Sequence, residues 1–189
     1  MNTPSHLILN LALLRRPVAP VMTWPILLGA LIPDAAMFVF YGWARWQRMP
    51  EQTIWNEAYY SQPWQTIFAV GNSMPLGLLA AALGYGLKRP WLGLLGASMV
   101  LHHLADLPLH HDDAHQHFWP LSSGRFISPI SYWDVDYLGR LGATLEMTLV
   151  LVATVYLLPR LSFTASQGLL VVTVALSSIA YGFLLFTPG

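Results

Sequence analysis

The stretch "VMTWPILLGALIPDAAMFVFYGW", Val21 to Trp43, carries a single charged residue, Asp34. Its length and apolarity match the roughly 20 residues that a helix needs to cross the hydrocarbon core of a bilayer. A carboxylate at that depth costs roughly 2.5–3.5 kcal/mol on insertion scales and marks a functional residue by default. Pro33, just before it, frees a backbone carbonyl and predicts a distorted turn there. The segment sets two expectations together: a membrane-spanning helix, and a polar site built into it.

The composition agrees with the first. Of 189 residues, 55% are hydrophobic and only 10% charged, whereas a soluble globular domain carries about 25% charged residues. Acidic and basic residues balance at nine each, so there is no basic footprint for nucleic acid. Cysteine is absent. That excludes disulfides, thiolate nucleophiles and cysteine-ligated zinc, and leaves histidine and carboxylate to hold any metal. Arg15 and Arg16 follow the apolar run Leu7 to Leu14 instead of preceding it, which is the wrong order for a signal peptide. The chain therefore reads as one membrane domain, residues 1–189.

Four further segments read as spans: Trp64 to Leu87, Pro90 to Leu109, Leu138 to Leu158 and Leu161 to Gly189. Leu7 to Leu14 is too short to cross alone and reads as a re-entrant or interfacial helix. The expected fold is thus all-α, a polytopic bundle of five spans plus a short N-terminal helix. Two long loops, 44–63 and 110–137, fall on one face under this threading. "WARWQRMPEQTIWNEAYYSQPW", residues 43–64, is rich in Trp and Tyr and suits the headgroup level, either as an anchor or as a lid over a substrate. The same threading brings His6, Asp34, Asn72, Ser73, His102 and Asp106 towards that face. Arg15, Arg16, Lys88, Arg89 and Arg160 fall on the opposite side, against Arg45, Arg48, Arg125 and Arg140 on the site's side, a narrow excess in short loops by which the positive-inside rule favours a periplasmic or lumenal site.

"HHLADLPLHHDDAHQHF", residues 102–118, holds six of the seven histidines. His102 and Asp106 are four apart and share a helix face; His103 and Asp106 form the alternative pairing. Such spacing lets an imidazole and a carboxylate grip one divalent ion. Pro108 then ends or kinks the helix, and one of His110 or His111 adds a further ligand. His117 is another candidate ligand, while Asp113 and His115 suit a second ion or acid–base work. Glu146 reads as a ligand or general base, or as a partner for Asn72 or Ser73, and His6 as a ligand preceded by Thr3 and Ser5, either of which could cap its helix. Arg125 and Arg140 would suit a phosphate, Arg140 being also an available partner for Asp34. Asp134 and Asp136 read as helix N-terminal charges, and "GLLGAS", residues 93–98, as a small-residue packing motif.

A histidine near the N-terminus, "GALIPD" with its intramembrane aspartate, and "HHLADLP" followed by "FWPLS" resemble the membrane-bound metal-dependent hydrolases of bacterial inner membranes. "NTPSHLILNLALL" and "DDAHQHFWPLSSGRFISPISYWD" look closer still to a branch of that family met mainly in cyanobacteria. His102-x3-Asp106 with a following histidine is also similar to the metal signature of zinc phospholipase C and the zinc-dependent single-strand nucleases. What these resemblances imply is a multi-pass inner-membrane hydrolase whose ligands are His6, Asp34, His102, Asp106 and His110 or His111. At "GNSMPL" the sequence departs from the hydrolase pattern, because Asn72 stands where a histidine is expected, as a weaker ligand or a support to one.

The chemistry expected is hydrolysis of a phosphoester in a lipid or lipid-linked substrate. One or two zinc ions, or manganese or iron, would activate water and polarise the phosphoryl oxygen. Asn72, Ser73, Arg125 and Arg140 would contact the substrate. The rival expectations are a metal or proton transporter and a non-catalytic assembly protein. Transport needs titratable groups continuing to the opposite face, where the spans carry only neutral polar residues such as Thr23, Ser98, Thr154 and Gln167.

Overall fold

The computed structural model describes residues 1–15, 22–161 and 164–186, and these contain no strand. Helix α1 spans Thr3–Leu14, α2 Thr23–Trp46, α3 a single turn at Glu51–Thr53, α4 Gln62–Gly71, α5 Met74–Gly86, α6 Pro90–Asp106, α7 Gly139–Leu157 and α8 Thr164–Phe186. Three helical stretches are long and apolar enough to cross a membrane: Thr23–Trp46, Gln62–Gly86 and Gly139–Arg160.

Five spans is therefore more than the structure supports, and the differences have local causes. The expected span 64–87 is retained as the stretch Gln62–Gly86, with an interruption between α4 and α5, where Ser73 adopts an extended backbone (φ −85°, ψ 108°) and its Oγ accepts from the Leu76 N–H at 3.2 Å. Pro63 and Pro75 sit in the first turns of α4 and α5, where a missing N–H does no harm. Helix α6 has 17 residues, short of the bilayer core, because Leu107 and Pro108 end it. The last expected span is helical over Thr164–Phe186, but residues 162–163 and 187–189 lie outside the described residues, as does Arg16. At the other end, α1 begins four residues earlier than its apolar run, with Pro4 in its first turn. His6 thus lies within the helix. Neither Thr3 nor Ser5 caps it, since the N-cap position falls to Asn2.

Many polar groups are buried and many large apolar ones exposed. Buried residues include His6, Asn10, Ser98, His102, His103, Asp106 and Glu146, while Phe38, Val39, Leu78, Leu79, Val152 and Val155 are exposed. An aqueous fold would invert this order; a fold surrounded by hydrocarbon does not need to.

Helix α6 sits at the centre, packed on α5 and α2, with α1 lying across α2, α6 and α7. The α5–α6 contact is backbone on backbone: a Cβ at Gly96 would stand 2.3 Å from the Ala81 nitrogen, and one at Gly84 2.1 Å from that of Gly93. The "GLLGAS" motif supplies this approach, as small residues do between membrane helices. A polar clasp joins three helices. Asn10 Nδ2 of α1 donates to the Ser98 carbonyl and Oγ of α6, both at 2.8 Å, and Ser98 Oγ donates to the Ile26 carbonyl of α2 at 2.6 Å. His6 precedes Asn10 by four residues and His102 follows Ser98 by four. In an antiparallel pair, that spacing stacks the two imidazoles one turn from the clasp.

The aromatic loop after α2 folds back on the bundle. Phe40 is surrounded by Trp43, Trp55, Tyr59, Trp64 and Phe68 at ring-centre distances of 5.2 to 6.4 Å. Edge-to-face and offset contacts in this range contribute beyond simple area burial.

Candidate metal centre

Asp106, the last residue of α6, is the hub. Its Oδ1 lies 3.0 Å from His6 Nε2, 3.3 Å from His110 Nε2 and 2.6 Å from the Met1 amino group; its Oδ2 lies 3.0 Å from His102 Nε2. The rings of His6 and His102 stack at 3.6 Å with 15° between their planes. His6, His102 and Asp106 are all buried, and one ligand atom from each falls within 4.8 Å of the others.

His102 shows how the backbone prepares a ligand. Its Nδ1 donates to the Ala30 carbonyl of α2 at 2.8 Å, which leaves Nε2 as the nitrogen turned to the carboxylates. That nitrogen sits 3.0 Å from Asp106 Oδ2 and 3.5 Å from Asp34 Oδ1 without a well-directed hydrogen bond to either. An imidazole held by a carbonyl behind and aimed at carboxylates in front is the usual arrangement of a metal-binding histidine. Asp34 is fixed in turn by Thr3, whose Oγ1 donates to its Oδ2 at 2.5 Å. Its partners are therefore Thr3 and His102; Arg140 is exposed and its carbonyl accepts from Thr144.

The structure separates His110 from His111. His110 turns inward to Asp106, and its Nδ1 lies 3.0 Å from Asp113 Oδ2, which also accepts from Trp133 Nε1 at 3.2 Å. His111 turns away: its Nδ1 donates to the Ser128 carbonyl at 2.5 Å and its ring stacks on Tyr137 at 3.5 Å. His111 thus ties two parts of the loop together and does not join the cluster. His115 and His117 lie beyond, with ring centres 5.4 Å from His110 to His115 and 6.0 Å from His115 to His117.

A cavity of about 580 Å³ adjoins this cluster through Met1, Asp34 and His110, while His6, His102 and Asp106 themselves do not line it. Its wall includes Asp34, His110, Asp113 and His115 on the polar side, and Met37, Phe38, Trp55, Tyr59 and Trp133 on the apolar side. Both long loops thereby contribute to one opening. Asn72 lines it as well, but its Nδ2 is engaged by the Phe68 carbonyl at 3.0 Å and the Pro33 carbonyl at 3.4 Å. Ser73 Oγ donates to the Trp119 carbonyl and is absent from the wall. Arg125 is bound to the Ala114 carbonyl and to Gln65 Oε1; neither it nor Arg140 lines the cavity. Glu146 is buried outside it, its Oε1 accepting the Asn2 N–H at 2.8 Å, so it anchors the start of α1. Asp134 caps the short turn Val135–Tyr137 by accepting from the Asp136 N–H at 2.9 Å.

Electrostatics divides the loop histidines. Burial pushes His115 down to about 3, helped by the charge of His110, and pushes His117 down to about 4. Both are neutral, metal-competent imidazoles at pH 7. Burial and the Met1 ammonium also press His110 downward, but Asp106 and Asp113 outweigh them and its pKa is raised. Burial would raise Asp113; its hydrogen bond to His110 and that ring's charge reverse this and lower it. His110 and Asp113 are thus a proton-sharing pair on the cavity wall.

Two features escaped the sequence reading. One is the Asn10–Ser98 clasp, signalled only by two uncharged polar residues in apolar helices. The other is the state of His103: read as an alternative partner of Asp106, it is buried with both ring nitrogens unpartnered. No known protein family, curated protein or solved structure matches this chain.

Proposed function

We propose that this chain is a membrane-embedded metal-dependent hydrolase acting on a phosphoester of a lipid or lipid-linked substrate. The observation that carries the reading is the buried His6–His102–Asp106 group, separated from a cavity with aromatic and apolar walls only by Met1, Asp34 and His110, which line that cavity and contact His102 or Asp106. Two imidazoles and a carboxylate suit zinc, with manganese or iron as alternatives. His102 fits the role best, its outer nitrogen fixed by Ala30 and its inner one without a directed partner. A bound ion there would supply an activated water and polarise the ester oxygen.

The remaining work falls to residues of the chain. Asp34 and His110 flank the cluster on its open side. The His110–Asp113 pair is placed to take a proton from water and return it to a leaving group, as general base and then acid. His115, on the same wall, offers a neutral acceptor. Met37, Phe38 and Trp55 present an apolar surface for acyl or isoprenoid chains entering beside α2. The resemblance of its motifs to the inner-membrane hydrolases supports the same placement, multi-pass in a bacterial inner membrane with the site on the periplasmic face.

The test is hydrolysis by the purified, tag-free protein in mixed micelles with a bacterial lipid extract. Zinc-dependent release of a phosphate-bearing headgroup, abolished by chelator and by His102→Ala, is expected. Metal-loaded protein that cleaves no lipid phosphoester would overturn the proposal.

A further inference from the structure

We propose that His103, His115 and His117 form a second metal site, made of imidazoles alone and distinct from the His6–His102–Asp106 group. The argument begins with His103. It follows His102 on α6 and so points about 100° around the helix, away from the carboxylate hub. Its side chain is fully buried and neither ring nitrogen has a hydrogen-bond partner. Leaving a buried polar atom unpaired costs about 1–3 kcal/mol, and native structures leave few such groups without a reason.

What faces His103 supplies the reason. The His117 ring centre lies 5.5 Å away, tilted by 51°. His117 is itself buried, its ring hydrogen-bonds to the Asn72 backbone, and its Nδ1 has no partner. A carbonyl behind and a free nitrogen in front repeats the arrangement of His102. The His115 ring lies 6.0 Å from that of His117. Two imidazoles bound tetrahedrally to one zinc, at roughly 2.0–2.1 Å from nitrogen to metal, hold their ring centres about 5 Å apart. Two of the three ring pairs stand within about an ångström of that spacing, with His117 between the other two, and the proposal requires the side chains to rotate until their nitrogens converge. His115 lines the cavity and gives an ion its way in.

The donor set defines the ligand. Three neutral imidazoles without a carboxylate favour the borderline metals zinc, copper, nickel and cobalt over magnesium, calcium and manganese. The hub site, with a carboxylate at its centre, discriminates less. The proposal concerns metal occupancy and stands independently of the hydrolase reading.

The experiment uses the full-length, tag-free, metal-stripped protein. Zinc content after equilibration is expected to be two per chain, falling to one in His103→Ala and in His117→Ala, with the hub ion retained. Loss of only the hub ion in His6→Ala would complete the separation. Pulsed electron paramagnetic resonance of the unmutated protein loaded with copper is the second readout, and it needs no variant to fold. It should report a population coordinated by three imidazole nitrogens. A wild-type stoichiometry of one, or copper held by fewer than three imidazoles at every site, would overturn the proposal. So would variants at His103 and His117 that still bind two ions. A protein that binds two zinc ions but hydrolyses nothing would sink the functional proposal and leave this one standing.

Discussion

The clasp between Asn10 and Ser98 offers a sharp test of how the fold builds the site. Replacing Ser98 by Ala removes two hydrogen bonds, the one donated to the Ile26 carbonyl at 2.6 Å and the one received from Asn10 at 2.8 Å. The Asn10 amide keeps its bond to the Ser98 carbonyl and loses one of its two acceptors. Interhelical hydrogen bonds in membrane proteins are each worth about 0.6 kcal/mol on average and at most about 1.7. Ser98→Ala should therefore destabilise the protein by about 1–2 kcal/mol. A double-mutant cycle with Asn10→Ala should return a coupling of about 0.6–1.7 kcal/mol. The assay is reversible unfolding in mixed micelles, followed by the fluorescence of the eight tryptophans. Because His6 and His102 stack one turn from the clasp, the same variants should weaken zinc binding by up to about tenfold, the equivalent of 1.4 kcal/mol. Additive single mutants, with coupling under about 0.3 kcal/mol and unchanged zinc affinity, would refute the idea that this contact holds α1 in register on α6.

Two other consequences can be checked alongside. Gly96→Ala drives a methyl group to 2.3 Å from the Ala81 backbone and should destabilise by about 1–3 kcal/mol as α5 and α6 part. Gly42→Ala, with nothing within 4 Å of the new Cβ, should stabilise by about 0.5–1 kcal/mol; thermal unfolding of the pair reversed in order would contradict the packing. Metal-free protein should lose stability on acidification through His117. Its folded pKa of about 4 lies below the ordinary value of about 6.5, so the unfolded chain takes the proton first. The contribution is complete above pH 6.5, declines as pH falls, and is gone by about pH 4, amounting to about 3 kcal/mol. His110, with its raised pKa, works in the opposite sense, so the readout is wild type against His117→Gln. A difference that fails to shrink between pH 7 and pH 4.5 would contradict the burial of that ring.

The sequence made the all-helical, apolar-surfaced fold legible, because burial pattern and segment length are local properties. It also made the hub legible: the i, i+4 spacing of His102 and Asp106 survives in α6, and the intramembrane carboxylate of Asp34 meets the same imidazole. The number of spans was less legible. Pro90 to Leu109 reads as one apolar run, yet Leu107 and Pro108 end α6 after 17 residues. The choice between His110 and His111 turned on Ser128 and Tyr137, contacts made by a loop without periodic signal. The arginines misled for a similar reason: Arg125 and Arg140 have the right charge for phosphate, but Gln65 and the Ala114 carbonyl hold one, and the other faces outward. Spacing allowed either His102 or His103 to pair with Asp106; adjacent histidines on a helix point to different partners, and only the fold shows that His102 takes the carboxylate.

The claim on which everything rests is that His6, His102 and Asp106, drawn from two helices that meet antiparallel, hold a metal ion together. Elemental analysis of tag-free protein, purified without chelator and compared with Asp106→Asn, tests it most directly. At least one zinc, manganese or iron atom per chain in the native protein, lost from the variant at this site, is the expected result. A native protein that retains no transition metal after equilibration with zinc, or a variant that keeps its full complement, would contradict it.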